Sequence, residues 1–408
     1  MSKNKIFNDP VYGFVNIPYG ILFDLVEHPY FQRLRRIKQV SLTHYVYPGA
    51  LHTRFHHALG AMHLMGQAIE TLRSKGVTIE AEEAEAARIA ILLHDIGHGP
   101  FSHTLEHSLL NVHHEELSLL LMEKLNEAFG GALDLAIRIF RGDYPKKFLH
   151  QLISGQLDMD RMDYLNRDSF FTGVYEGVIG YDRIIKMLAV SGGELVVEEK
   201  GIYSIEKFLM ARRLMYWQVY LHKTVLAAEQ MLIRAVRRAR QLVAAGQTFH
   251  ISKPLAFFLH NEFSREAFEA DKDRWLEYFT RLDDYDIVSA LKEFSGADDR
   301  LLSFLSASIV DRRLFRLELK NHPFAEEYRE EVCRRIGKEF GFSEAELEFL
   351  VFGGEETNSE YSTSKDEIKI LFKDGRVLPM SESSDYGMQS KIVTKYYLCY
   401  PKIRRSGR

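Results

Sequence analysis

Histidines crowd one stretch of this chain: eleven of its seventeen fall between His44 and His114. Neutral imidazole is a common metal ligand and proton shuttle, so the crowding marks where chemistry is to be sought. The same stretch carries a strong helical signal. Ala58, Met62, Met65, Ile69 and Leu72 recur at 4-3-4-3 spacing, one apolar stripe of a helix ending near Gly76. A second helix spans Glu82 to His94 and is broken by Gly97, Gly99 and Pro100.

Helical patterns follow over Glu115–Phe129, Leu133–Phe140 and Asp160–Asp168, so the first 190 residues read mainly helical. Leu195–Val197 and Ile202–Ile205 flank Glu-Glu-Lys-Gly as a small hairpin. One long helix without Pro or Gly is expected from Glu206 to Ala245, then a helical, charge-rich stretch to about Leu350. Polar residues from Gly353 to Ser364 read as a linker or loop. Beyond them, Ile368–Phe372 and Arg376–Leu378 flank Asp374-Gly375 as a hairpin with a primed turn, and Thr394–Tyr400 offers a further strand. The fold class expected is mainly α: a helical body with a small β-hairpin and a C-terminal α+β tail. Its divisions fall at 1–245, with a core of about 50–170, then at 246–352 and 353–408.

With 46% hydrophobic and 27% charged residues over 408 positions, the composition excludes disorder and a disulfide-stapled mini-protein. A chain of this length buries roughly 70–75% of its unfolded surface, so a metal is not needed for folding and would serve chemistry. The formal net charge of −4 supplies no global attraction for nucleic acid or membrane, so an anionic partner needs a local cationic pocket. Two cysteines, no apolar leader and no membrane-length apolar run give the expectation of a cytoplasmic protein.

His94-Asp95 sits at the helix break, His57 on the preceding helix, and Asp158-Met159-Asp160-Arg161-Met162-Asp163-Tyr164 far downstream. Two imidazoles and two carboxylates drawn from three helices make a mixed N/O site suited to Mn, Fe, Zn, Co or Ni, and unlike a thiolate zinc site. Asp158 and Asp163 read as caps or surface ion pairs, whereas Asp160 reads as a ligand.

His57, His94-Asp95 and Asp160 reproduce the H…HD…D pattern of the HD-domain phosphohydrolases, which the chain resembles. Pro29 to Arg35, Thr53-Arg54-Phe55-His56-His57, His94 to His103 and Asp158 to Tyr164 are similar to one branch, the deoxynucleoside triphosphate triphosphohydrolases. The likeness runs from about Ile6 to Lys223. It implies hydrolysis of a dNTP to a deoxynucleoside and tripolyphosphate, with a divalent transition metal at His57, His94, Asp95 and Asp160, and Mg alongside.

The resemblance also implies roles for the surrounding side chains. His103 would supply the leaving-group proton and Glu106 would orient it, while His98 and His114, with Glu115 beside the latter, would bind phosphate or the nucleophile. Arg54, Arg161 and Arg212 match phosphate-contacting positions, and Gln39, Tyr164, Asp168 and Tyr220 match sugar-contacting ones. Aromatic rings against the ribose would exclude a 2′-hydroxyl. Asn8, Glu27, Gln32 and Arg35 lie where some relatives hold an activating nucleotide between subunits, and Glu27 departs from the aspartate found there. The partners expected are a dNTP, a nucleotide effector and further copies of the chain. Arg234, Arg237, Arg238 and Arg240 read as a solvated helix face rather than a nucleic-acid contact. The alternatives are an HD phosphohydrolase acting on another nucleotide or phosphate ester, and a nucleotide-binding regulator without turnover.

Overall fold

The computed structural model describes residues 4–109, 111–261, 264–358, 367–385 and 393–403. At its centre lies helix α1 (Arg54–Ser74). It begins where Thr53 N donates to His56 Nδ1 at 3.2 Å, and it ends two residues before Gly76, which takes a φ of 84°. The expected stripe of Ala58, Met62, Met65, Ile69 and Leu72 is buried, but so are Ala61, Leu64 and Ala68 on the other side. Burial all round marks a central helix rather than a surface one. Its neighbours are α2 (Ala81–Leu93), α3 (His114–Ala128) and α4 (Met159–Thr172), with α2 and α4 packed directly on it. Each fully buried Leu, Ile or Met in this layer contributes roughly 1.5–3 kcal/mol.

Gly60 of α1 lets α4 approach this closely. A Cβ there would lie 2.0 Å from Asp163 Oδ1 and 2.2 Å from Arg167 Nη2. Gly97 does the same after the His94-Asp95 turn, where a Cβ would meet His114 O and Ser118 N at 2.3 Å. Ser118 fastens that turn, donating to His94 O at 2.6 Å and accepting from Gly97 N at 3.0 Å.

Several elements depart from the sequence reading. Residues 4–18 form an antiparallel hairpin of β1 (Asn4–Asp9) and β2 (Gly13–Pro18). Asp9 closes it by accepting from Val11 N and Tyr12 N, each at 2.9 Å. The second hairpin pairs β3 (Leu188–Ser191) with β4 (Glu194–Glu198), not 195–197 with 202–205. Its turn is Gly192-Gly193, with φ of 60° and 81°, as a type I′ turn requires, and Ile202 instead opens a helix, α5 (Ile202–Met215).

The single long helix from Glu206 to Ala245 is in fact two. A π-helical turn at Tyr216–Tyr220 interrupts it, and α6 (Lys223–Ala244) starts anew with His222 Nδ1 accepting from Thr224 N at 3.2 Å. The arginines of α6 pack inward more than a solvated face requires. Arg234 lies 3.2 Å over the Phe352 ring, Arg238 pairs with Asp299 at 2.6 Å, and Arg240 donates to Phe258 O.

The C-terminal strands join sheets begun upstream. Strands β5 (Arg316–Lys320), β6 (Phe352–Asn358) and β9 (Val393–Tyr400) form one antiparallel sheet in the order β5-β9-β6. Residues 353–358, read as loop, are therefore strand, because Gly353 and Gly354 allow the Tyr397 backbone and ring to approach. The rest of that expected loop, 359–364, lies outside the described residues. The hairpin at Asp374-Gly375 is present as β7 (Lys369–Leu371) and β8 (Val377–Pro379), but its turn is not primed, since Gly375 alone takes a positive φ, 86°; β7 runs parallel to β4.

Candidate metal centre and adjoining cavity

His57 projects from the first turn of α1, His94 and Asp95 from the turn after α2, and Asp160 from the first turn of α4. His57 Nε2 lies 3.1 Å from Asp160 Oδ1, 3.4 Å from His94 Nε2 and 3.6 Å from Asp95 Oδ2. His94 Nε2 lies 3.4 Å from Asp95 Oδ1 and 3.5 Å from Asp160 Oδ1. Donors about 2.0–2.2 Å from one cation at cis or tetrahedral angles stand about 2.9–3.5 Å apart, which is this spacing.

The other nitrogen of each imidazole is occupied. His57 Nδ1 donates to Asp163 Oδ2 at 2.7 Å, and His94 Nδ1 donates to Ile91 O at 2.6 Å. The Nδ1 bonds fix both rings so that each Nε2 points at the shared point, where it would give up its proton and offer a lone pair to a bound cation. Burial opposes a charge on His57, yet hydrogen bonds to Asp160 and Asp163 outweigh it and push its pKa up to about 10. Burial likewise opposes ionisation of Asp95, but Arg54 and His94 hold it well below the usual carboxylate range, and the two histidines do the same for Asp160. Two imidazoles and two carboxylates converging within this spacing form a donor set that fits a divalent transition metal.

Asp163 corrects the sequence reading. It is no surface ion pair: it is fully buried, bonded to His57 and to Arg167 Nε at 2.9 Å. Arg167 continues to Asp9 at 2.7 Å, so the first hairpin is tied to His57 through a chain of charged contacts. Asp158 does cap α4, accepting from Arg161 N at 2.7 Å.

A cavity of about 530 Å³ opens beside the cluster. On its metal side stand Asp95, Asp160, Arg54, His98, His103 and His114. Arg54 is held by Asp95 and by Ser102 Oγ, the latter at 2.8 Å. His98 is buried, 3.3 Å from Asp95 Oδ1, and its ring stacks on His114 at 4.0 Å. Burial and the Arg54 charge keep His98 neutral, well below its ordinary pKa. Glu106 clamps two histidines at once: Oε2 meets His103 Nδ1 at 3.1 Å and Oε1 meets His114 Nδ1 at 2.9 Å. Its carboxyl is depressed despite burial because both imidazoles donate to it. Glu115 takes no part. It is exposed on α3 and absent from the cavity wall, and the partner of His114 is Glu106.

Further along the wall come Gln39, Tyr164, Asp168 and Tyr220. Asp168 accepts from Tyr220 Oη and pairs with His52 Nε2, each at 2.6 Å. Gln39 Oε1 is buried and has no hydrogen-bond partner among the described residues. Arg161 and Arg212 do not line the cavity. Arg161 is pinned by Asp158, while Arg212 reaches Gln156 at 3.3 Å; burial pushes the Tyr164 hydroxyl well up, against the opposing charges of Arg212 and Arg161. Tyr216, Ser41, Thr104 and Glu229 also face the cavity and escaped the sequence reading. The π-turn that aims Tyr216 and Tyr220 leaves no periodic signature in the sequence.

The four residues expected at an effector site stand elsewhere. Arg35 Nε donates to Gln32 Oε1 at 2.8 Å, its guanidinium covers the Phe55 ring at 3.6 Å, and Glu27 acts on it electrostatically. Asn8 lies on β1, and none of the four lines the cavity. No helix among the described residues is long and apolar enough to cross a membrane.

The family model for the HD domain matches residues 54–168, and the one for the HD-associated region matches 179–253. The Dictyostelium discoideum deoxynucleoside triphosphate triphosphohydrolase SAMHD1 homolog is 30% identical over 68% of this chain and 57% of its own length. Bacillus subtilis YwfO is 30% identical over 98% of this chain and 93% of its own. A solved structure of a phosphohydrolase from Bacteroides thetaiotaomicron superposes with a TM-score of 0.95 at 52% identity, covering 98% of this chain and 100% of that one. Likeness of that extent, falling on the helices that bring His57, His94, Asp95 and Asp160 together, makes this chain a member of the HD-domain phosphohydrolase superfamily, in its dNTP triphosphohydrolase-like branch.

Proposed function

We infer that the chain hydrolyses deoxynucleoside triphosphates to deoxynucleoside and tripolyphosphate. The observation that carries this reading is one cavity joining the four-ligand cluster and Arg54 to the Tyr164, Asp168 and Tyr220 group. A triphosphate and a sugar need those two surroundings side by side. The printed name of the Dictyostelium relative supports the same substrate class.

His57, His94, Asp95 and Asp160 would hold the divalent cation, which supplies Lewis-acid activation of water at neutral pH. Arg54, oriented by Asp95 and Ser102, faces the cavity with a fixed positive charge for the α-phosphate. His103 presents Nε2 at the cavity rim because Glu106 engages Nδ1, a posture suited to protonating the departing 5′ oxygen. His98, neutral and buried, offers a donor or acceptor to the phosphoryl oxygens but no charge. Tyr164 and Tyr220, with rings 6.1 Å apart, narrow the sugar position. A nucleotide effector at the Gln32–Arg35 surface and a homo-oligomer belong to the same proposal.

Incubation of the purified chain with dGTP and Mn²⁺ tests it. Tripolyphosphate and deoxynucleoside released in equal amounts are expected. Orthophosphate or a nucleoside monophosphate would assign a different phosphohydrolase reaction, and no product would leave a nucleotide-binding regulator.

A further inference from the structure

Glu229 is the one carboxylate of α6 that faces the cavity, and the proposed chemistry has no use for it. It is half-buried and bonded to the hydroxyls of Ser41 and Thr104. Those two hydroxyls are themselves 2.8 Å apart. Both belong to loops that also carry proposed substrate contacts: Ser41 follows Gln39 by two residues, and Thr104 follows His103 directly. Val40, Leu226 and Ile233 supply apolar wall around them, and Glu356 of β6 adds a second carboxylate. Neither of the two partners of Glu229 touches His57, His94, Asp95 or Asp160 in the described hydrogen bonds and ion pairs.

Arg54 lines this cavity together with the carboxylates of Glu229 and Glu356, which come from elements other than those of His57, His94, Asp95 and Asp160. A triphosphate is drawn to Arg54 and repelled by ionised Glu229 and Glu356, which leaves the uncharged base as the part of the nucleotide that Glu229 can receive. A carboxylate offers two acceptor oxygens side by side. Among the four DNA bases only guanine presents two adjacent N–H donors on one edge, N1–H and the 2-amino group. Adenine and cytosine alternate donor with acceptor there, and thymine sets one N–H between two carbonyls that a carboxylate repels.

Resting on the dNTP reading above, we propose that Glu229, steadied by Ser41 and Thr104, is a specificity-determining residue that selects guanine through its N1–H and 2-amino donors. Burial, with Glu356 nearby, pushes the Glu229 carboxyl up to about 7, so the free site is ionised at mildly alkaline pH. Two N–H donors from the base favour that ionised form further.

The test is kcat/KM for dGTP, dITP, dATP, dCTP and dTTP with Mn²⁺ at about pH 8, for the wild type, Glu229→Gln and Glu229→Ala, with thermal unfolding of each. A bidentate base contact discriminates by about 10- to 100-fold, so the wild type is expected to favour dGTP over dATP by that factor. dITP, which lacks the 2-amino group, falls between them. The dGTP-to-dATP ratio falls toward one in both variants. A flat profile in the wild type, dITP equal to dGTP, or a ratio unchanged in both variants overturns the assignment and leaves the dNTP reading standing. Hydrolysis of no dNTP by the wild type removes that reading and this one with it. The dITP comparison uses only the wild type, so it decides even where a variant fails to fold.

Discussion

His57 and Asp163 share a 2.7 Å hydrogen bond in a spot where neither side chain meets solvent. The bond orients His57 Nε2 toward the point it shares with His94 and Asp160 and ties His57 to the Arg167–Asp9 pair. Removing the carboxylate should therefore act on metal affinity before it acts on chemistry. Asp163→Ala is expected to weaken Mn²⁺ binding about 10- to 100-fold, measured by calorimetric titration. It also leaves Arg167 short of a buried partner, so unfolding should shift by about 3–5 kcal/mol, whereas Asp163→Asn keeps more of both. Unchanged Mn²⁺ affinity in a folded Asp163→Ala chain would remove its orienting role.

Glu106 holds His103 and His114 together, so its loss should resemble the loss of both. His103→Ala is expected to slow single-turnover cleavage about 10²- to 10⁴-fold with little change in nucleotide binding. Glu106→Gln should slow it less, because the amide still accepts one hydrogen bond. Equal single-turnover rates for wild type and His103→Ala would end the assignment of His103 as proton donor.

Tyr220 and Asp168, bonded to each other and through Asp168 to His52, stand where the proposed reading seats the sugar. Tyr220→Ala is expected to raise GTP turnover relative to dGTP by about tenfold, since it opens room for a 2′-hydroxyl. Competition assays with both nucleotides measure the ratio, and an unaltered ratio would place discrimination elsewhere.

Stability of α2, which carries His94-Asp95 at its end, depends on Glu83. It accepts from Glu80 N at 2.8 Å, Lys146 Nζ at 2.6 Å and Tyr144 Oη at 2.5 Å. Burial opposes its ionisation, but those contacts win and lower its pKa in the folded chain. A depressed carboxyl contributes stability above its unfolded value, near about 4.3, and loses it as pH falls through the folded value. Glu83→Gln should cost about 1–3 kcal/mol at neutral pH and flatten the acid limb of stability against pH, as read by thermal unfolding. Parallel acid limbs for the two proteins would contradict this.

The helices that bring His57, His94, Asp95 and Asp160 together were legible in the sequence because the signals are local: a 3.6-residue stripe and a helix break at Gly97-His98-Gly99-Pro100. Glu106 could be found by its three-residue spacing from His103. Asp163 was misread because its partners, His57 and Arg167, meet only once α1 and α4 pack at Gly60. The π-turn at Tyr216–Tyr220 hid inside an uninterrupted helical composition. Likewise, the role of residues 352–400 rests on strand partners at 188–198 and 316–320, which no short-range pattern announces.

The most direct measurement is the anomalous scattering of Mn²⁺ in crystals of the wild type and of Asp95→Ala. The account expects one dominant peak in the wild type, about 2.0–2.3 Å from His57 Nε2, His94 Nε2 and an oxygen of each of Asp95 and Asp160, and its weakening or loss in the variant. A dominant peak at any other group of side chains, or none at saturating Mn²⁺, would contradict it.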